Sequence, residues 1–146
     1  MHGTESYLDT SVLAKRYIEE PGSEEVDRFL SARSRVLISR LTVLELRCVF
    51  ARRLRSGTID DDYERQALAA LSADIRSGWF QVEPLADHHA VEAFDMISRL
   101  RDHTLRALDA LHLAIARGIG AKTLATADRR MADAAQALGM EVVTFG

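Results

Sequence analysis

SYLDTSVLAKRYIEEPG, residues 6–22, changes its period partway along, and that change decides the fold. Ser6 to Asp9 is a short strand-like run. From there the apolar positions Val12, Leu13, the aliphatic stem of Arg16 and Tyr17 recur at helical spacing until Pro21-Gly22 breaks the pattern. A strand thus feeds directly into a helix. The end of the chain repeats the unit, with a strand over Lys122 to Ala125, a helix over Asp128 to Leu138 stopped by Gly139, and a last strand over Glu141 to Phe145.

Between these ends the spacing predicts helices over Ser23 to Ala32, Thr42 to Leu54, Asp60 to Ser77, Asp87 to Leu100 and Leu105 to Arg117. Val36 to Ser39 reads as a strand and Trp79 to Val82 as a minor one. Strands separated by helices call for parallel pairing through right-handed crossovers. The expectation is a three-layer α/β/α fold around a small, mainly parallel sheet of four to five strands. Residues 1–146 carry no repeat, linker or low-complexity segment, so they read as one domain.

At 146 residues the chain can bury a sizeable core without disulfides or a structural metal. No stretch approaches the roughly 20 apolar residues of a membrane span. The opening MHGTESYLDT lacks the basic start and apolar run of a signal peptide, and the one cysteine, Cys48, has no partner in the chain. Both features point to the cytoplasm. Cys48, within VLELRCVFA, reads as a small buried hydrophobe. The net charge of −3 gives no basic footprint, but acids gathered at one site and neutralised by cations would leave a surface that a phosphate can approach. Only Lys15 and Lys122 are lysines; the arginine excess suits bidentate phosphate contacts and would equally follow from GC-rich coding.

Ligands of a parallel sheet gather beyond the carboxyl ends of its strands, and two acids stand there: Asp9 after Tyr7-Leu8, and Asp128 just past Leu124-Ala125-Thr126. Each also suits the N-terminus of the helix that follows it. Asp109 and Glu45 pose a different problem, because both lie in apolar helical runs, LRALDALHLAIA (105–116) and LTVLELRCVF (41–50). A carboxylate in such surroundings must be protonated, hydrogen-bonded or bound to a cation. The options are one shared site, or buried salt bridges to Arg47 or Arg106. Four clustered carboxylates need positive charge. No cysteine pair or His-x-x-x-His spacing offers a soft ligand set, so an all-oxygen site fits Mg²⁺ or Mn²⁺ rather than zinc. His88 and His89 are adjacent and read as solvated, while His112 shares a helix face with Asp109 and reads as a satisfied core histidine or as a support behind the acids.

YLDTSVLAKRY (7–17), LTVLELRCVF, LRALDALHLAIA and LATADRRMADAA (124–135) together resemble the four acidic motifs of PIN domains, and in particular the bacterial toxins of the VapC type. The resemblance spans nearly the whole chain and departs at none of the four acids. It implies an Mg²⁺- or Mn²⁺-dependent endonuclease that cuts structured RNA such as tRNA or rRNA, forms homodimers and is neutralised by a cognate antitoxin. Carried over residue by residue, Asp9, Glu45, Asp109 and Asp128 are the catalytic and metal-holding quartet, with Asp9 and Asp109 innermost. Thr10, Ser11 and Thr126 are the hydroxyls that orient carboxylates or water. With water as nucleophile, the expected products carry a 5′-phosphate and a 3′-hydroxyl. Arg52, Arg53, Arg129 and Arg130 are candidates for approaching the RNA. An arginine from the antitoxin is expected beside Asp9 and Asp109, with an apolar segment packing on exposed helix surface near Val12 to Tyr17 and the second helix.

Two other enzyme classes and one non-enzyme class compete with this reading. An aspartyl-nucleophile phosphatase would resemble Asp-x-Asp-x-Thr after the first strand, but the position two after Asp9 is Ser11. A housekeeping PIN-domain nuclease differs from a toxin in genomic context, namely whether a small antitoxin reading frame lies immediately upstream. A catalytically silent RNA- or protein-binding PIN module would have no need to keep four acids together, and a melting-temperature rise with Mn²⁺ separates it from a true metal site.

Overall fold

β1 (Ser6–Leu8) runs into α1 (Thr10–Tyr17) with only Asp9 between them in the computed structural model, which describes residues 5–146. Residues 1–4, the start of the MHGTESYLDT read above for a signal peptide, lie outside the described residues. The chain continues through α2 (Ser23–Ser31), β2 (Val36–Ser39), α3 (Arg40–Arg55), α4 (Asp61–Arg76), β3 (Phe80–Glu83), α5 (Asp87–Arg99), α6 (Ala107–Gly118), β4 (Thr123–Thr126), α7 (Arg129–Ala137) and β5 (Glu141–Thr144). The five strands form one sheet in the order β3-β2-β1-β4-β5, and every pairing is parallel. β3 is a full edge strand rather than a minor one, since all four of its residues pair with β2 from Val36↔Phe80 to Ser39↔Glu83.

Alternation along the strands explains the two covered faces. Leu8, Val36, Ile38 and Ala125 point into a core closed by α1 to α4, while Tyr7, Leu37 and Leu124 point into a second core closed by α5 to α7. This is the expected three-layer arrangement. The strand order also fixes where a site belongs. The chain builds outward from β1 through β2 to β3, then returns to the other side of β1 with β4 and β5. The crevice outside the carboxyl ends of β1 and β4 is therefore the switch point at which such sheets bind ligands.

Helix starts follow capping chemistry. Asp9 accepts from the Val12 amide at 3.2 Å, Asp60 from that of Tyr63 at 2.8 Å, and Asp128 from that of Arg130 at 2.9 Å. Ser39 and Thr42 form a reciprocal box at the start of α3, with backbone-to-hydroxyl distances of 3.1 and 3.2 Å. At the end of the α1 turn Gly22 adopts φ 94°, a conformation that disfavours a side chain.

Two sequence expectations are corrected. Cys48 is exposed, not buried, because α3 is not covered all round: Leu44, Arg47 and Cys48 lie on its outer side while Leu46 and Phe50 face the core. His89 is buried, not solvated, because its Nδ1 turns back to accept the Ala86 amide at 2.9 Å and closes the first turn of α5.

Burial first, and the neighbouring His88 second, hold the His89 imidazole below its ordinary pKa. The neutral ring is the form that caps the helix. A depressed folded-state value means that this stability is present above the unfolded histidine range and is lost as pH falls through it. The melting temperature is accordingly expected to drop on acidification from pH 7 to 5, and His89→Asn, which keeps an acceptor near the same place, should reduce that drop. An equal drop in both proteins would remove His89 as its source.

Candidate active site

The β1–α1 and β4–α7 junctions are stitched together at the switch point by oxygen atoms. Asp9 lies at their centre, 3% exposed. Its Oδ1 accepts from Ser11 Oγ at 2.6 Å and from the Val12 amide, and its Oδ2 accepts from Thr126 Oγ1 at 2.5 Å. Ser11 Oγ in turn accepts the Ala127 amide at 2.8 Å, and Thr126 Oγ1 accepts the Asp128 amide at 3.0 Å. Each hydroxyl therefore gives its one proton to Asp9 while accepting an amide of the β4–α7 junction, Ser11 from the opposite loop and Thr126 from its own. Burial raises the Asp9 carboxyl above its ordinary pKa, against the pull of the Ser11 and Thr126 hydrogen bonds and of His112.

Glu45 approaches from α3. Its Oε1 accepts from Thr10 Oγ1 at 2.7 Å and contacts His112 Nε2 at 2.5 Å. Burial pushes its pKa upward, but the hydrogen bonds from His112 and Thr10, with the charges of His112 and Arg106, outweigh this and hold it below the ordinary carboxylate value. Thr10 links the two acids, one raised and one lowered, since it follows Asp9 in the chain and donates to Glu45.

Asp109 lies closer to a helix end than the apolar run implies. α6 begins at Ala107 rather than Leu105, so Asp109 is in its first turn, where Oδ2 accepts the Arg106 backbone amide at 3.2 Å. The Arg106 side chain adds a contact at 3.4 Å but is 66% exposed, so it contributes little. Arg47 pairs with Glu64 at 3.1 Å, not with Glu45. Asp128 is half-buried at the start of α7 and joins the lattice through its backbone amide.

The structure thus brings Asp9, Ser11 and Thr126 into one hydrogen-bonded set and Thr10 and Glu45 into a second, the two meeting where Thr10 follows Asp9 in the chain, with Asp128 at the margin of the first and Asp109 turned to the end of its own helix. Among the described residues, no three His, Cys, Asp or Glu side chains converge as a ready ligand group. The donors at this edge are nonetheless carboxylate and hydroxyl oxygens, and His112 has both ring nitrogens engaged within the protein. That chemistry fits a hard divalent cation.

Beside the lattice runs a groove of about 530 Å³ lined by Thr10, Ser11, Lys15, Glu45, Arg52 and Arg53, among others. Lys15 and Arg53 both hold Glu20, at 3.2 and 2.7 Å, whereas Arg52 is exposed and makes no ion pair among the described residues. Arg129 and Asp128 line a separate groove of about 560 Å³ against the end of β5. The apolar side chains of α1 offer no docking surface: Val12, Leu13, Ala14 and Tyr17 are all buried in the core, which corrects the expected antitoxin contact there.

Sequence reading overlooked Tyr7, Ser39 and Thr42. The Tyr7 hydroxyl meets His112 Nδ1 at 2.7 Å, Ser39 Oγ at 2.8 Å and Thr42 Oγ1 at 3.3 Å. Ser39 and Thr42 carried a usable signal, a hydroxyl pair three residues apart at a strand-to-helix junction. Tyr7 carried none beyond its place in β1.

An α/β/α fold with carboxylates at the switch point of a five-stranded parallel sheet defines the class. Residues 6–137 match the PIN domain, and the chain belongs to the PIN-domain family. It is 34% identical over 139 residues to ribonuclease VapC46 of Mycobacterium tuberculosis, covering 94% of this chain and 95% of that protein. Among solved structures it resembles FitAcB from Neisseria gonorrhoeae, with a TM-score of 0.74 and 23% identity over 95% of this chain and 96% of that one. It also resembles a toxin-antitoxin complex from Klebsiella pneumoniae, with a TM-score of 0.65 and 20% identity over 96% and 97% of the two chains.

Proposed function

We propose that this chain is a metal-dependent endoribonuclease acting in the cytoplasm as the toxin of a toxin–antitoxin pair. The observation that carries this reading is Asp9, a buried carboxylate fixed at the switch point by two hydroxyls and an amide, with Glu45 hydrogen-bonded to the next residue, Thr10. Relatives named as a ribonuclease and as a toxin-antitoxin complex support it.

Asp9, Glu45, Asp109 and Asp128 are the residues proposed to hold Mg²⁺ or Mn²⁺. When bound, such an ion lowers the pKa of a coordinated water and offsets negative charge on the phosphate. Ser11 and Thr126 keep Asp9 from rotating, and Thr10 does the same for Glu45. Arg52, at the rim of the groove and without an ion-pair partner among the described residues, is placed to attract an RNA phosphate. For the antitoxin we propose an arginine beside Asp9 and Asp109. Asp109 Oδ1 accepts no hydrogen bond among the described residues, which leaves it open to a guanidinium.

Incubation of the purified chain with structured RNA tests the activity. Cleavage is expected with Mn²⁺ and not with excess chelator, leaving ends that ligate only with a 5′-phosphate. Light scattering of the same sample should give twice the 16.3 kDa chain mass. Val91, Phe94 and Ile97, exposed at three-residue spacing on α5, support such a homodimer. Cleavage that survives the chelator would remove the metal from the proposal, and a monomer would remove the dimer.

A further inference from the structure

His112 sits at the end of a directed chain of hydrogen bonds that begins at the cap of α3. A carboxylate only accepts, so the 2.5 Å contact between His112 Nε2 and Glu45 Oε1 places the ring proton on Nε2. Nδ1 meets the Tyr7 hydroxyl at 2.7 Å, accepting from it when the ring is neutral and donating to it when the ring is protonated, and Nε2 donates to Glu45 in both forms. The Tyr7 oxygen can in turn accept from Ser39 at 2.8 Å or Thr42 at 3.3 Å, the pair that closes the first turn of α3. Tyr7 is fully buried and His112 is 3% exposed, so neither ring has an alternative partner in water. The rings also meet edge-on, with centroids 5.8 Å apart.

Two elements converge on one oxygen of a third, α3, as a result. His112 from α6 and Thr10 from α1 both contact Glu45 Oε1, while Oε2 accepts no hydrogen bond among the described residues. Resting on the nuclease reading above, we infer that His112, oriented by Tyr7, is a positioning residue that pins one oxygen of Glu45 and presents the other to the cation and RNA. Partners of this outer kind set the affinity of a metal site by about ten- to a hundredfold.

The test is a double-mutant cycle between His112→Leu and Glu45→Gln, read by Mn²⁺ calorimetry on RNA-free protein, by kcat and KM on RNA, and by melting temperature. His112→Leu is expected to weaken Mn²⁺ binding about ten- to a hundredfold and to lower kcat with little change in KM. His112→Gln, whose amide can still donate to Oε1, should recover most of both. In a Glu45→Gln background the loss caused by His112→Leu should vanish. If His112→Leu does not fold, Tyr7→Phe, which removes only the hydroxyl, enters the same cycle with a smaller expected loss. Wild-type Mn²⁺ affinity in the folded variant, or an equal loss with and without Glu45, would overturn the inference while leaving the nuclease intact. A wild-type chain that neither binds Mn²⁺ nor cleaves RNA would instead remove the nuclease reading, and this inference with it.

Discussion

Asp9→Asn is expected to reduce Mn²⁺-dependent RNA cleavage by more than about a hundredfold, since losing a direct ligand should cost more than losing one of its outer partners. The fold should survive. An asparagine oxygen can still accept from Ser11 and Val12, and only the Thr126 hydroxyl must turn to meet an amide instead of a carboxylate oxygen. Metal-free stability follows from the raised Asp9 pKa. A carboxyl raised by burial burdens the fold only when ionised, so its favourable state is complete below the unfolded carboxylate range and is lost as pH rises through the folded value. At neutral pH without metal, Asp9→Asn should therefore melt level with or above the wild type, and the gap should close on acidification. Circular dichroism melts across pH, with parallel cleavage assays, decide the matter. Full activity would eliminate Asp9 as a ligand, and a large loss of stability at neutral pH would mean that its charge is structural.

The opening strand-helix unit and its repeat at the end of the chain contained enough to place Asp9 and Asp128 at one sheet edge. Parallel topology obliges strand ends to share an edge, and the period change at Asp9 is local. Helix boundaries were less legible where they mattered most. Leu105 and Arg106 are helix-compatible residues, so nothing local marks Arg106 as the residue that caps α6. Its role depends on Asp109 folding back three residues to accept its amide. Apolar runs also misled. LTVLELRCVF looks buried all round because hydrophobicity says nothing about which side has a neighbour, and Leu44 is in fact 61% exposed. Contacts between distant segments, such as Tyr7 with His112 or Ser11 with the Ala127 amide, leave no trace in local spacing.

Expression of the wild-type chain alone is expected to arrest bacterial growth, and substitution of Asp109 to relieve the arrest. The choice of substitution matters because Asp109 has one observed role, in the helix cap, and one proposed role, in holding the metal, and a single alanine would confuse them. Its Oδ2 closes the first turn of α6, and losing that acceptor costs about 1 kcal/mol. Relief by Asp109→Ala could then follow from a shortage of folded protein. Asp109→Asn retains an oxygen for the Arg106 amide and removes only the charge, so it should fold at wild-type yield and still relieve the arrest. Asp109→Ala should relieve it too, with a melting temperature a few degrees lower. Growth curves scored against soluble protein per cell separate the two effects. Relief by Ala but not by Asn would assign Asp109 to the helix cap alone and remove it from the metal-holding set. Normal growth at high soluble levels of the wild-type chain would end the toxin reading and shift the proposal to a housekeeping nuclease of the same family.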